Sequence, residues 1–167
     1  MTETSPWVGI LMGSSSDAKT LEPCWQVLKE YGIPYEVRVL SAHRTPEEAV
    51  AYIRAAEGRG IAVLVAAAGM AAHLAGACAA HSTLPVIGVP IASGPLQGED
   101  ALLSTVMMPP GLPVATVGIN GAANAGHLAA QILALAHPEL KDSLKKARAA
   151  MREKVLAQDR EMAGGTG

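Results

Sequence analysis

The sequence predicts an α/β fold built on a doubly wound parallel sheet of about five strands, and three observations point to it. Five short apolar runs alternate with five helical patterns along residues 7–135. Several of those runs are continuous rather than alternating, as strands buried on both faces require. The Gly- and Ser-rich loops fall after strands, at the carboxyl edge where such sheets collect ligands.

The first run, 7–12 (WVGILM), ends at Gly13. Ser16 or Asp17 can cap the helix that follows, which runs to about Tyr31 with Gly32 as its stop and Leu21, Trp25 and Leu28 on one face. Pro34 opens the second strand, 35–40, whose weaker alternation, with Glu36 and Arg38 pointing one way, suits a sheet edge. Residues 41–44 form a loop. Thr45-Pro46-Glu47-Glu48 then starts a helix, with Thr as N-cap and Pro at the first helical position. That helix ends near 58–60. Residues 61–66 (IAVLVA) read as the most central strand, followed by a small-residue turn over 67–72 and an Ala-rich helix from His73 and Leu74. A fourth strand spans 85–90, and a loop over 91–99 carries Gly94, Pro95 and Gly98. Asp100 begins a helix that stops before Pro109. A fifth strand over 113–117 and a helix over 121–135 complete the pattern.

Beyond Pro138 the composition turns charged. Residues 139–162 read as an amphipathic helix with Leu140, Leu144, Ala147, Met151 and Val155 on one stripe, suited to packing on this domain or on a neighbouring subunit. Residues 163–167 read as a flexible tail. The whole chain, 1–167, reads as a single catalytic domain with its core at about 7–137.

Composition narrows the function. At 167 residues, half of them hydrophobic and 17% charged, the chain can bury a sizeable core without staples. Three Tyr, two Trp and no Phe leave little for stacking on bases, and a net charge of −2 gives no basic footprint, so nucleic acid is not an expected partner. Cys24 and Cys78 are far apart in sequence and read as reduced thiols in a cytoplasmic protein. Residues 1–6 are polar and 7–12 are too short for a signal peptide's apolar region. The long apolar stretch 61–80 is broken by Gly69, His73 and Gly76, which favours strand, loop and helix over a membrane span.

Two loops carry the chemistry. Gly13-Ser14-Ser15-Ser16-Asp17 places hydroxyls and backbone N–H groups at a helix start, where they suit a phosphate. Asp17 would repel a phosphate but suits a ribose diol. A plain N-cap box is the other reading. Neither a GxGxxG motif nor a Walker lysine is present. Ser41-Ala42-His43-Arg44 pairs an imidazole, fit for proton transfer near neutral pH, with a guanidinium that can clamp a phosphate at two points. Surface decoration is the alternative for such a pair, and its place at a strand end beside the first loop counts against that. A third loop offers Gly69, where backbone can approach a flat ligand, and His73 at a helix start. Ser14, His43 and Asp17 make no nucleophilic triad, for no GxSxG elbow is present. No spacing supports a metal at His43, His73 and an Asp.

These motifs come in a familiar order. MGSSSD (12–17), SAHRTP (41–46), AAHLAG (71–76), LPVIGVP (84–90), GEDALLSTV (98–106), MPPGLPVATV (108–117) and GAANAGHLAAQIL (121–133) resemble the class I N5-carboxyaminoimidazole ribonucleotide mutases of bacterial purine biosynthesis, over about residues 7–137. Related class II enzymes carboxylate aminoimidazole ribonucleotide directly with CO2. They usually lack AAHL and often carry Lys after the His, so Thr45-Pro46 and Ala72-His73-Leu74 look like class I.

The resemblance implies a three-layer, flavodoxin-like αβα fold, a cytoplasmic homo-octamer with sites at subunit junctions, and no cofactor or metal. It implies that Ser14 and Asp17, with Ser16 nearby, hold the ribose phosphate part of the substrate. Ser41 and Arg44 would complete that grip, with Arg44 on the phosphate. His43 would be the general acid and base, and Gly69, His73 and Leu74 would line the pocket around the imidazole and the migrating carboxylate. Three positions depart from the family pattern: Met70, where many members have a second Gly, Ala75, where many have Pro, and Met107, where Gln is common. The loop at Asn120 and Gly121 is also shorter than in some members. The direct carboxylase is the competing enzyme reading. A non-catalytic receiver or nucleotide-binding module is the remote one, and a receiver would need acidic clusters at strand ends that here carry Gly-Ser and Ala-Ala-Gly.

Overall fold

Apolar strands present side chains to both faces of the sheet, and the computed structural model, which describes residues 7–164, shows what each face meets. Five parallel strands, β1 (Val8–Met12), β2 (Tyr35–Val39), β3 (Val63–Gly69), β4 (Val86–Ile91) and β5 (Ala115–Thr116), stand in the order β2-β1-β3-β4-β5. The helices are α1 (Ala18–Glu30), α2 (Pro46–Ala56), α3 (Leu74–His81), α4 (Glu99–Val106), α5 (Ala122–Leu133) and α6 (Glu139–Gly164). This is the three-layer, flavodoxin-like arrangement, with β2 at an edge and β3 at the centre, as the sequence predicts.

The two-residue period of the strands divides the interior into two cores. Val8, Ile10 and Met12 of β1, Val63, Val65 and Ala67 of β3, and Ile87, Val89 and Ile91 of β4 pack with α1 and α5 through Leu21, Cys24, Leu28, Ala125 and Ala129. Leu11, Leu64, Ala66 and Val86 face the other way, onto Tyr52 and Ile53 of α2 and Leu74, Ala75 and Cys78 of α3. Each fully buried Leu or Ile contributes about 1.5–3 kcal/mol relative to exposure. The Ala-rich sequence of α5 lets it lie close to α1: a Cβ on Gly126 would stand 2.7 Å from the Cys24 carbonyl oxygen.

Several details differ from expectation. β3 begins two residues later than expected and runs on to Gly69, because β1 pairs with it to Ala67 and β4 to Gly69, through residues 67–69 that the sequence reads as a turn. β5 shrinks to two residues beside a single neighbour. A 3-10 turn (Ser15–Asp17) precedes α1, and its cap is Ser14, whose Oγ accepts from the Ser16 N–H at 3.3 Å. Thr45 does precede α2, with Pro46 at the first helical position, but its hydroxyl turns back to Ser41 instead of capping the helix.

The charged helix forms as expected and lies against this chain over its first half, where Ala147 is half-buried and Arg148 and Met151 border a cavity with Tyr31 and His127. Leu140 is buried and Leu144 rests on the α1–α5 core, whereas Met151 and Val155 of the same stripe are exposed. Of the expected tail, residues 163 and 164 are helical, and 165–167 lie outside the described residues, as does the polar segment 1–6. Among the described residues no helix is long and apolar enough to cross a membrane.

Candidate active site

Parallel strands carry all their following loops to one edge, so the loops after β1, β2, β3 and β4 meet there. They enclose a cavity of about 400 Å³. Ser14, Ser16, Asp17, Ser41, His43, Arg44, Gly69, His73 and Leu74 all line it, so the structure brings together every site residue expected from sequence. A larger cavity of about 880 Å³ lies at the opposite, amino-terminal end of β4 and β5. Its Arg54, Glu57 and His81 form no hydrogen bond or ion pair with one another, and the chemically matched set lies in the smaller one.

The first loop leaves the sheet at Gly13, whose N–H donates to the Ala67 carbonyl at 3.2 Å. Behind it Ser14 turns the chain, and the Ser16 hydroxyl stands 2.8 Å from Ser14 Oγ and 3.3 Å from Asp17 Oδ1. Burial pushes the Asp17 carboxyl above its ordinary range, an effect opposed by the Ser16 hydroxyl, the Ser14 hydrogen bond and the charge on Arg44. A partly desolvated carboxylate flanked by hydroxyls suits a neutral diol, which offers donors.

The second loop is fastened by its own polar residues. The Ser41 N–H donates to Thr45 Oγ1 at 2.9 Å, and that hydroxyl donates back to the Ser41 carbonyl at 3.1 Å. Ser41 Oγ accepts from the Arg44 N–H at 3.2 Å and faces Arg44 Nε at 3.5 Å. The far end of the guanidinium donates to the Gly13 carbonyl, tying the second loop to the first. Arg44 is thus held across the mouth between the two, with donors left for an anion.

His43 and His73 meet although thirty residues separate them. His43 Nε2 stands 2.8 Å from His73 Nδ1, with the rings edge to face at 87° and centroids 4.9 Å apart. One nitrogen must donate and the other accept, so a single proton occupies the contact. His73 sits at the N-cap position of α3 without capping it, which leaves its ring free to reach across. Leu74 is buried behind it, and Gly69 ends β3. Among the described residues no three His, Cys, Asp or Glu side chains converge as metal ligands.

Ala68 and Ser93 line the cavity outside every sequence motif, and Met70, marked in the sequence only as a departure from the family pattern, lines it too. Met70 is the informative one. Its φ is +51°, in the left-handed region that favours glycine, and its side chain is 55% exposed. A glycine there would therefore be the conformationally easier choice. Met107 lies 77% exposed at the end of α4 and off the cavity lining, whereas Ala75 is buried against Gly88.

Comparison with known proteins agrees with this geometry. The family model described as AIR carboxylase matches residues 7–154. The chain is 55% identical over 147 residues to the N5-carboxyaminoimidazole ribonucleotide mutase of Pyrococcus abyssi, covering 88% of this chain and 84% of that one. It is 53% identical over 154 residues to the protein of that name from Pseudomonas aeruginosa, covering 91% and 94%. Among solved structures, PurE of Treponema denticola matches with a TM-score of 0.83 at 33% identity, covering 93% of this chain and 98% of that one. With a family match across nearly all of its length, the chain belongs to the AIR carboxylase family.

Proposed function

We propose that this protein is a mutase that moves the carboxylate of N5-carboxyaminoimidazole ribonucleotide from N5 to C4, giving 4-carboxyaminoimidazole ribonucleotide in purine biosynthesis. The observation that carries the reading is the joined His43 and His73 pair in a strand-end cavity whose other end holds Arg44 and a run of hydroxyls. Arg44, Ser41 and Ser14 take the phosphate, and Asp17, with Ser16 beside it, takes the ribose diol. The imidazole then lies over Gly69, between His73 and Leu74.

The chemistry needs one proton moved twice. Protonated His43 delivers its proton to N5 as the N5–carboxyl bond breaks, the bonding pair stays on nitrogen, and CO2 is released within the cavity. The C4 carbon then attacks CO2 with its π electrons, and neutral His43 removes the C4 proton to restore the aromatic ring. The net change is one carboxylate moved and one proton moved from C4 to N5. His73, in contact with His43, orients the ring and fixes which nitrogen holds the proton. Bound substrate displaces water from the cavity, which keeps CO2 beside C4 between the steps.

The balance of atoms closes without ATP, biotin or an oxidant, which agrees with a reading that assigns no cofactor and no metal. We read residues 1–167 as one catalytic domain, working in the cytoplasm as a homo-octamer on a small ribonucleotide, with no nucleic acid or membrane partner. The exposed Met151 and Val155 stripe of α6 supports a subunit contact there. The test supplies purified protein with the N5-carboxylated nucleotide, or with aminoimidazole ribonucleotide plus bicarbonate, and follows the C4-carboxylated product. Efficient turnover of the first substrate is expected. Turnover of the second alone would make the protein a direct carboxylase.

A further inference from the structure

Ser93 is a polar group of the cavity that the reaction above leaves unused. It stands in the loop just past Ile91, the last residue of β4, and lines the same cavity as His43 and His73. Its Oγ is shut off from solvent and has no hydrogen-bond partner among the described residues. Buried hydroxyls are nearly always paired, so an unpaired one beside a reactive cavity calls for a ligand. Its neighbour is Gly69, and the fit between them is tight. A Cβ on Gly69 would stand 2.1 Å from Ser93 Oγ, 3.2 Å from Ser93 Cβ and 3.3 Å from the Ile91 carbonyl oxygen. The hydroxyl lies against the bare Cα of Gly69, and any larger residue would push it away. Gly69 reaches that position because β3 pairs with β4 to its last residue, Gly69 beside Ile91.

Position along the sheet edge decides what Ser93 would hold. The phosphate-binding residues follow β1 and β2, the imidazole contacts follow β3, and Ser93 follows β4, next in the order β2-β1-β3-β4-β5. A ligand anchored by its phosphate at the first two loops presents its opposite end, the carboxylate, to the fourth. We propose that Ser93 is a substrate-contacting residue whose hydroxyl donates a hydrogen bond to the carboxylate in transit, and to CO2 between the two steps. The inference rests on the mutase reading. Its specific consequence is retention: without that bond, CO2 leaves more often before C4 captures it, and the enzyme releases aminoimidazole ribonucleotide plus CO2 instead of product.

The experiment measures how consumed N5-carboxylated nucleotide divides between C4-carboxylated product and released aminoimidazole ribonucleotide, corrected for breakdown without enzyme. In Ser93→Ala the released fraction should rise at least about fivefold and kcat fall about tenfold, the effect of one ordinary hydrogen bond, with KM within about threefold. Gly69→Ala should raise the released fraction in the same way, because its new Cβ displaces the Ser93 hydroxyl, while KM rises as well because the imidazole lies over Gly69. In released fraction the double substitution should be no worse than either alone, since the closest clash leaves with the hydroxyl. An active wild type with an unchanged released fraction in Ser93→Ala overturns this proposal alone, as do additive losses in the double substitution. A wild type that does not convert the N5-carboxylated nucleotide overturns the mutase reading and this proposal with it.

Discussion

Replacing Arg44 with Ala should weaken ribonucleotide binding far more than it slows turnover. In the free protein the guanidinium already has a place to rest: it donates to the Gly13 carbonyl and faces Ser41 Oγ at 3.5 Å. Its loop is fixed by the Ser41–Thr45 pair of hydrogen bonds, so little ordering remains when a phosphate arrives. A two-point contact from guanidinium to phosphate adds two charge-assisted bonds, each about 1.5–3 kcal/mol, against which the lost contact to Gly13 must be set. Solvent screening at this exposed residue takes a further share. A net of about 2–3 kcal/mol remains, which is roughly 30- to 150-fold in Kd. Calorimetric titration with the C4-carboxylated nucleotide measures it directly. Arg44→Lys should recover only part, since a point charge replaces the planar fork, and the salt dependence of binding should flatten in Arg44→Ala. Affinity within about threefold of wild type in Arg44→Ala would refute the phosphate assignment.

His43→Asn should reduce kcat by about 10²-fold or more while ligand binding stays within about tenfold, because the exposed ring supplies proton transfer rather than grip. Single-turnover kinetics and a binding titration on the same preparation separate the two, and normal turnover would remove His43 from the mechanism. Asp17 sets stability against function. Burial holds its folded carboxyl above the ordinary value near 3.8, so the folded state binds the proton more tightly than the unfolded chain. Its contribution to stability is therefore greatest at low pH and declines as pH rises from the unfolded value through the raised folded one. Asp17→Asn should accordingly melt slightly higher than wild type at pH 7, with the difference fading below pH 4, while losing about tenfold in ribonucleotide affinity. A lower melting point at pH 7 would contradict the burial account.

The layers, the edge and central strands and the core residues were legible because buried strands and amphipathic helices leave periodic marks in sequence. Ile10, Leu11 and Leu64 announce themselves as core by composition alone. The site was legible where it lies in compact loop motifs, as with Ser14, Asp17, His43 and Arg44. What stayed hidden depends on contacts between distant segments. The sequence reads 67–69 as a turn, since small residues favour one. Pairing with β1 runs to Ala67 and pairing with β4 carries β3 on to Gly69, and only that register places Gly69 against Ser93. The contact between His43 and His73 likewise follows from how β1, β2 and β3 align, not from either local motif. Met70 shows the converse: its unusual residue type is visible in sequence, but the left-handed backbone that makes it unusual is visible only in the fold.

The central claim is that the carboxylate passes from N5 to C4 without leaving the cavity. Substrate carrying ¹³C in its carboxylate, turned over in unlabelled bicarbonate, tests that directly by mass spectrometry of the product. The account predicts that the label is retained in the C4-carboxylated nucleotide, largely undiluted by the bicarbonate pool. Product that carries unlabelled carbon from solution, with the ¹³C recovered as free CO2, would contradict it.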